Sequence, residues 1–333
     1  MGTGDVLVNL TQPLGRDNWP IAAAMINFPG TRPDGSSVQD DSPDVWDTTL
    51  AEVQDAGFNH LDPTDSWLRL ADLSPRRLKE FLAVAAGREL HIRSISTARR
   101  SIIDANNSVA NLAYSHRVID TAAEIGATTV SFGLMQALTA EQQNALWFWT
   151  VRGHSDPDDD ETWQLAVARF RELGEHASSV GVLVSLEMYE DTLLGSADSA
   201  VRLIRDIDHP SVGLNPDLGN LLRLHRNVEK GQSMVEKTLP FANYWHVKNY
   251  HRAEDTPTGA ILTTPAPMES GVLDYRSAIR FALAHGYRGA FCVEHYGGDG
   301  LSVSATNRDY IRRLLPMNVD ALPQLTVARS EKL

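Results

Sequence analysis

The feature that most constrains this chain is an alternation. Short apolar, β-branched runs recur along its length, and a longer segment with apolar residues at helical spacing follows each of them. The short runs are residues 21–28, 58–62, 91–96, 128–133, 182–188, 212–217, 243–249 and 290–295. Near-continuous apolar runs of this length are what parallel strands need, because helices cover both faces of the sheet. Several of the longer segments open on Ser, Asp or Asn and close on Gly, which is the chemistry of helix caps. Eight strands alternating with helices in 333 residues predict an α/β chain folded as a single (β/α)8 TIM barrel. An open, doubly wound sheet is the alternative. No Gly-x-Gly-x-x-Gly follows the first run, which favours the barrel. The barrel is expected over residues 1–316, with a C-terminal tail at 317–333.

Three connections exceed what a barrel needs: residues 29–42 after strand one, 134–160 after strand four and 250–273 after strand seven. In a barrel these βα loops all rise from the C-terminal face, where active sites lie. Long loops in compact domains are often lids or binding loops. "GGDG" at 297–300 is a weak phosphate-cradle signal and reads equally well as a turn. With few basic residues beside it, an unphosphorylated substrate is expected.

Composition removes several function classes. The formal net charge is -13, so the surface repels nucleic-acid backbones and anionic lipid. The single cysteine, Cys292, excludes an internal disulfide framework and fits a reducing compartment. Its apolar surroundings, "GAFCVEH", suggest a small buried side chain rather than a reactive thiol. "MGTGDVLVNLTQPLG" lacks the basic and apolar parts of a secretion signal, and no apolar run is long enough to span a bilayer. A cytoplasmic protein with no nucleic-acid or membrane partner is expected.

The chemistry is expected at strand ends. Strand five ends in Glu187, strand six in Asp217, strand seven in His246 and strand eight in Glu294, at steps of 30, 29 and 48 residues. The first two steps match one βα unit each, and the third carries the extra loop. Three carboxylates at one axis would repel one another strongly, and a divalent cation resolves that repulsion. An O3N donor set suits one hard or borderline ion: Mn2+, Mg2+ or Co2+, with Zn2+ also possible. Such an ion can also stabilise negative charge that develops on an oxygen bound to it.

The stretches "LVSLEMYED", "HPSVGLNPDLGN", "YWHVKNYHR" and "GVLDYRSAIRFALAHGYRGAFCVEH" resemble the second half of the xylose isomerase-like sugar isomerase/epimerase superfamily. The likeness covers residues 180–315, and earlier residues only in the order of elements. It implies that Glu187, Asp217, His246 and Glu294 hold one Mn2+-like ion, with Glu187 and Glu294 as the acid/base pair on a small sugar or glycoside. It also implies that Arg252, six residues after the metal histidine, binds substrate. Ketose 3-epimerases carry a histidine three residues after the strand-six Asp; this chain has Asn220. Asparagine can bind a sugar hydroxyl but cannot carry a proton.

Some members of the same superfamily resemble the catalytic subunit of C-glycoside deglycosidases. These lyases eliminate an aglycone after the same proton abstraction and pair with a small β-sandwich subunit. A homo-oligomer is expected in the first case and a hetero-oligomer in the second. Apurinic endonucleases share the fold, but their basic groove conflicts with the net charge.

Other residues carry open readings. Lys248 shares a strand face with His246 and would either stabilise an enolate or neutralise the acidic ring. Trp147 and Trp149 would stack on a sugar or an aromatic aglycone, cover the barrel mouth, or meet a neighbouring subunit. His154, in the same loop, is a candidate base. Asp62, Asp65, Trp67, Arg99 and Arg100 follow strands two and three, and His251 and His295 follow strands seven and eight.

Overall fold

The computed structural model describes residues 13–321. All eight expected strands form, each shorter than its apolar run. They are β1 (Ile21–Ala24), β2 (His60–Asp62), a third strand in two pieces, β3 (His91–Ile92) and β4 (Ser94–Ser96), then β5 (Thr129–Phe132), β6 (Leu183–Glu187), β7 (Val212–Asn215) and β8 (Trp245–Val247). After β8 come a hairpin, β9 (Asn249–Asp255) and β10 (Ala260–Ala266), and the eighth barrel strand, β11 (Phe291–Val293). Ten helices connect them: α1 (Pro43–Asp55), α2 (Pro75–Gly87), α3 (Ser108–Ile125), α4 (Ala140–Asn144), α5 (Asp160–Ser179), α6 (Ala197–Ile207), α7 (Gly219–Leu222), α8 (Gly231–Thr238), α9 (Tyr275–Ala284) and α10 (Gly300–Leu314).

The barrel strands run parallel in two sheets, ordered β3-β2-β1-β11-β8 and β4-β5-β6-β7. β3 and β4 are halves of one strand broken at Arg93, whose carbonyl accepts the N–H groups of Thr128 and Thr129 at 2.9 and 3.3 Å. That break joins the sheets on one side. On the other side, β7 and β8 form no ladder: the Asn243 N–H, ahead of β8, donates to the Leu214 carbonyl at 3.1 Å. A side chain bridges the seam beyond it. Asn215 Oδ1 accepts the His246 N–H at 2.7 Å, and its Nδ2 donates to Ser131 Oγ at 3.1 Å.

Caps set the helix starts as the sequence predicts. Ser74, Asp159, Ser196, Asp274 and Asp299 each accept an N–H of the following first turn. Proline opens α1 and α2, and Gly126 closes α3 in the left-handed region at φ +75°. The "GGDG" run is a turn and a cap, not a phosphate cradle: Asp299 caps α10. Gly297 has φ +78° and lies so close under Trp147 that a Cβ would come within 2.5 Å of the indole ring.

Three segments differ from expectation. Residues 250–273 hold the antiparallel hairpin β9–β10 instead of an irregular loop; burial along its two strands follows no regular alternation, so no buried period shows in the sequence. The short helix α7 follows strand six directly. Past residue 316, Val319 is buried and its N–H bonds the Leu14 carbonyl at 2.8 Å, so the first described residues of the tail pack on the barrel. Residues 1–12 and 322–333 lie outside the described part. No helix among the described residues is long and apolar enough to cross a membrane.

The Asn215 bridge gives a direct test. Asn215→Ala leaves the buried His246 N–H without a partner, which costs about 2 kcal/mol. A urea titration should show a lowered midpoint of that size, with the slope unchanged.

Candidate functional site

The strand ends converge as the sequence predicts. Glu187 closes β6, His246 lies in β8, Asp217 and Glu294 directly follow β7 and β11, and all four side chains are buried. One donor atom each of Glu187, Asp217 and His246 lies within 4.8 Å of the others. Glu294 Oε1 is 2.9 Å from His246 Nδ1, and Glu187 Oε2 is 3.7 Å from it. Neither contact meets hydrogen-bond geometry, so Nδ1 is a buried atom without a partner, and so is Asp217 Oδ1. Unsatisfied buried polar atoms are costly. Two of them within one carboxylate–imidazole cluster fit a divalent cation, and these residues could hold one.

The other edge of His246 explains why Nδ1 is free. Asp62 sits at the end of β2 and accepts four bonds: from Ser94 Oγ, from the N–H and Oγ of Ser96, and from Tyr244 Oη. Surrounded by donors, it acts only as an acceptor, so the Ser96 hydroxyl proton points to Asp62. Ser96 Oγ must then accept from His246 Nε2, 3.0 Å away. That assigns the proton to Nε2 and leaves the Nδ1 lone pair facing the carboxylates. Cys292 lies beside Asp62 and His246 as a third potential donor. Burial pushes its thiol up to about 11, and Asp62 is already saturated, so this side reads as scaffold.

Lys248 lies between the two outer carboxylates. Its Nζ bonds Asp217 Oδ2 and, at 2.6 Å, Glu294 Oε2. Burial works against its charge, yet Asp217 and Glu294 hold its pKa well above the ordinary value. Burial also opposes ionisation of Glu294, but Lys248 holds it well below the usual carboxylate range. Glu187 has no such lysine contact, and burial, with the repulsion of Asp217 and Glu294, pushes it up to about 7. Of the two readings open for Lys248, the contacts match charge balance.

Asn220 Nδ2 donates to Glu187 Oε1 at 3.0 Å, the Met188 carbonyl at 3.0 Å and Asp217 Oδ2 at 3.2 Å, tying two potential ligands together. Several predicted residues lie elsewhere. Arg252 does not reach the centre. The hairpin carries it onto the carbonyls of Leu222, Leu224 and Arg226, with its Nε on Glu254. His154 is exposed on the rim of a 180 Å³ cavity at the mouth, away from the buried carboxylates. Trp147 and Trp149 stack on each other at 5.0 Å and 19°, and Trp149 meets Tyr250 and Tyr296 edge-on. Of their three readings, the described contacts match a cover over the mouth. Trp67 is a core residue against Phe28 and Phe81, His251 is exposed on the hairpin, and His295 is buried beside Glu294.

Two residues of the mouth escape sequence reasoning. Arg223 is fully buried, with Nη2 on both oxygens of Glu190 at 2.8 Å. Phe148, Trp149 and Tyr189 surround its guanidinium at 4.8 to 5.1 Å. Each follows a metal-type carboxylate by a few residues, Glu190 after Glu187 and Arg223 after Asp217, which is the only signal the sequence offers.

Asp65 follows β2 and is anchored by Tyr114 Oη at 2.9 Å on Oδ1, while its Oδ2 is buried without a partner. Burial pushes its carboxyl up to about 7, against the Tyr114 bond and Arg100. A raised carboxyl favours the protonated fold. The associated stability is therefore present below pH ~4, the ordinary carboxyl value, and is lost as pH rises to about 7. Denaturation of Asp65→Asn beside the parent at pH 4 to 8 should show the difference moving in favour of Asn across that window.

Comparison with known proteins agrees with this architecture. No curated protein sequence matches the chain. A solved xylose isomerase-like TIM barrel protein from Mycobacterium smegmatis, in complex with magnesium, is 50% identical, with a TM-score of 0.87 over 90% of this chain and 98% of that one. D-psicose 3-epimerase from Clostridium cellulolyticum H10, solved with D-tagatose, is 14% identical, with a TM-score of 0.61 over 88% and 98%. 3-keto-D-glucoside 4-epimerase from E. coli is 16% identical, with a TM-score of 0.58 over 89% and 98%. The last two share the fold. The family pattern described as "Xylose isomerase-like TIM barrel" matches residues 50–314, and with the barrel and its convergent strand ends in view, the chain belongs to that family.

Proposed function

We propose that this chain is a divalent-metal-dependent sugar isomerase or epimerase that moves a proton next to a sugar carbonyl. The observation that carries the reading is the pair of unpartnered buried atoms, His246 Nδ1 and Asp217 Oδ1, within a cluster completed by Glu187 and Glu294. These four residues would hold the ion. The oxygen-rich donor set suits Mg2+ or Mn2+, and also accommodates Co2+ or Zn2+. The 50% identical Mycobacterium smegmatis protein, solved with magnesium, supports Mg2+. When bound, such an ion supplies Lewis-acid stabilisation of the negative charge that develops on the substrate oxygens.

The protein groups divide the remaining work by environment. Glu187, the carboxylate of the cluster that no lysine holds, is suited to take and return the proton. Glu294, three strands round the ring, is kept ionised by Lys248 and supplies the second carboxylate. Lys248 holds Asp217 and Glu294 against their mutual repulsion. Asn220 fixes the angle between Glu187 and Asp217, which is a positioning role. The aromatic cover of Trp147 and Trp149 excludes water, so these charges act at short range in a medium of low dielectric.

Two tests follow. Incubated with free ketoses in deuterated water, the metal-loaded protein should return sugar carrying deuterium. Glu187→Gln should reduce that exchange at least ~100-fold, and a chelator should abolish it. Exchange that survives both treatments rules out this reading. Separately, Asp62→Asn should weaken Mg2+ binding about 10- to 100-fold in calorimetry, because it disturbs the relay that orients His246.

The Trp147–Trp149 stack favours one second reading, a lyase of the C-glycoside deglycosidase kind, with the aromatic cover meeting an aromatic aglycone. Release of aglycone from a 3-keto C-glycoside, with no deuterium entering recovered ketose, separates it from the first.

A further inference from the structure

We propose that the cavity at the barrel mouth is a subsite for an anionic group, a carboxylate or a phosphate, carried by the substrate of the neighbouring centre. The inference rests on the isomerase/epimerase reading for what the substrate is, but its own basis is the cavity wall. The cavity has a volume of 180 Å³ and lies between the connections that follow β4, β5, β6 and β7. It shares the connection after β6 with the centre: its wall residues Tyr189 and Glu190 are two and three positions beyond Glu187.

The charge of this wall is opposite to that of the chain. Arg99, Arg152 and Arg226 line it against Glu190 and Asp191. Both acids are already committed: Glu190 is held by the buried Arg223, and Asp191 pairs with Arg226 at 2.8 Å. Arg99 and Arg152 therefore face the cavity with no carboxylate partner among the described residues. In a chain of net charge -13, two such guanidiniums on one concave wall form a local positive field.

Arg99 is also held in place. Its Nη1 donates to the Gln136 carbonyl at 3.0 Å and its Nη2 to Tyr189 Oη at 3.2 Å, and the guanidinium lies 5.1 Å from the Phe148 ring. Those partners are neutral and leave further N–H groups free. Its backbone has φ +56°, and that of Asp191 on the facing wall has φ +59°. These are two of four non-glycine residues in the left-handed region among the described residues. Strain of this kind persists where the surrounding structure fixes a side chain for a purpose. A pinned guanidinium and a second, exposed one on the same wall match a planar carboxylate or a phosphate by charge-assisted bonds. These groups come from separate loops, which is why no basic cluster shows in the sequence.

The test uses the full-length, Mg2+-loaded protein and three probes: D-fructose, D-fructuronate and D-fructose 6-phosphate. Binding is read by calorimetry and proton exchange by deuterium uptake. At least one anionic probe should bind about tenfold or more tighter than D-fructose, and the tighter one identifies the carboxylate or the phosphate as the natural group. Arg152→Gln, at an exposed side chain that the fold does not need, should bring the ratio of the two affinities close to one. Arg99→Gln should do the same. Equal binding of all three probes overturns the subsite, as does an anion preference that survives both substitutions. An anion preference lost in both variants, with no deuterium uptake from any probe, upholds the subsite and overturns the isomerase reading. Uptake without anion preference does the reverse.

Discussion

The arrangement of this protein depends on one electrostatic constraint: three carboxylates brought out of water at the ends of neighbouring strands. Glu187, Asp217 and Glu294 meet around His246, and Lys248 is the one lysine among them. Burying like charges together is expensive unless cations and donors compensate them. Lys248 compensates Asp217 and Glu294, and Asn220 donates to Glu187 and Asp217. What remains uncompensated is the His246 edge of the cluster, and a divalent ion is the natural complement there. The asymmetry between a raised Glu187 and a depressed Glu294 follows directly from where the lysine stands.

Scaffold and centre are continuous. Asn215 closes the seam between β7 and β8, and by doing so fixes the backbone of His246. Asp62 gathers Ser94, Ser96 and Tyr244 in the barrel interior and, through Ser96, fixes the imidazole. The same polar groups that a barrel interior must satisfy internally are those that set the histidine tautomer. The mouth repeats the pattern at a larger scale. A buried Arg223–Glu190 pair is enclosed by aromatic rings from the connection after β5, so the cover is fastened to the wall by charge as well as by apolar contact.

Much of this was legible in the sequence, and the exceptions have physical causes. Buried parallel strands need near-continuous apolar runs, so all eight appeared. Their lengths were overestimated because the flanking residues stay buried after the ladder ends; Met25 and Met188 do so beyond β1 and β6. The hairpin after β8 stayed hidden because burial along its strands follows no regular period. It carries Arg252, expected to bind substrate, onto the carbonyls of Leu222 and Leu224. Asn220, expected to bind a sugar hydroxyl, lies in α7, where its amide nitrogen bonds the carboxylates.

By itself the sequence determined the barrel, the strand ends and the identity of the four convergent groups, because strand periodicity and βα spacing are local properties of the chain. Only the tertiary structure decided which carboxylate Lys248 holds down, which nitrogen of His246 is free, and that Arg99 and Arg152 share one cavity. Those facts depend on distances between residues far apart in the chain, and charges titrate and pair through space, not along the sequence.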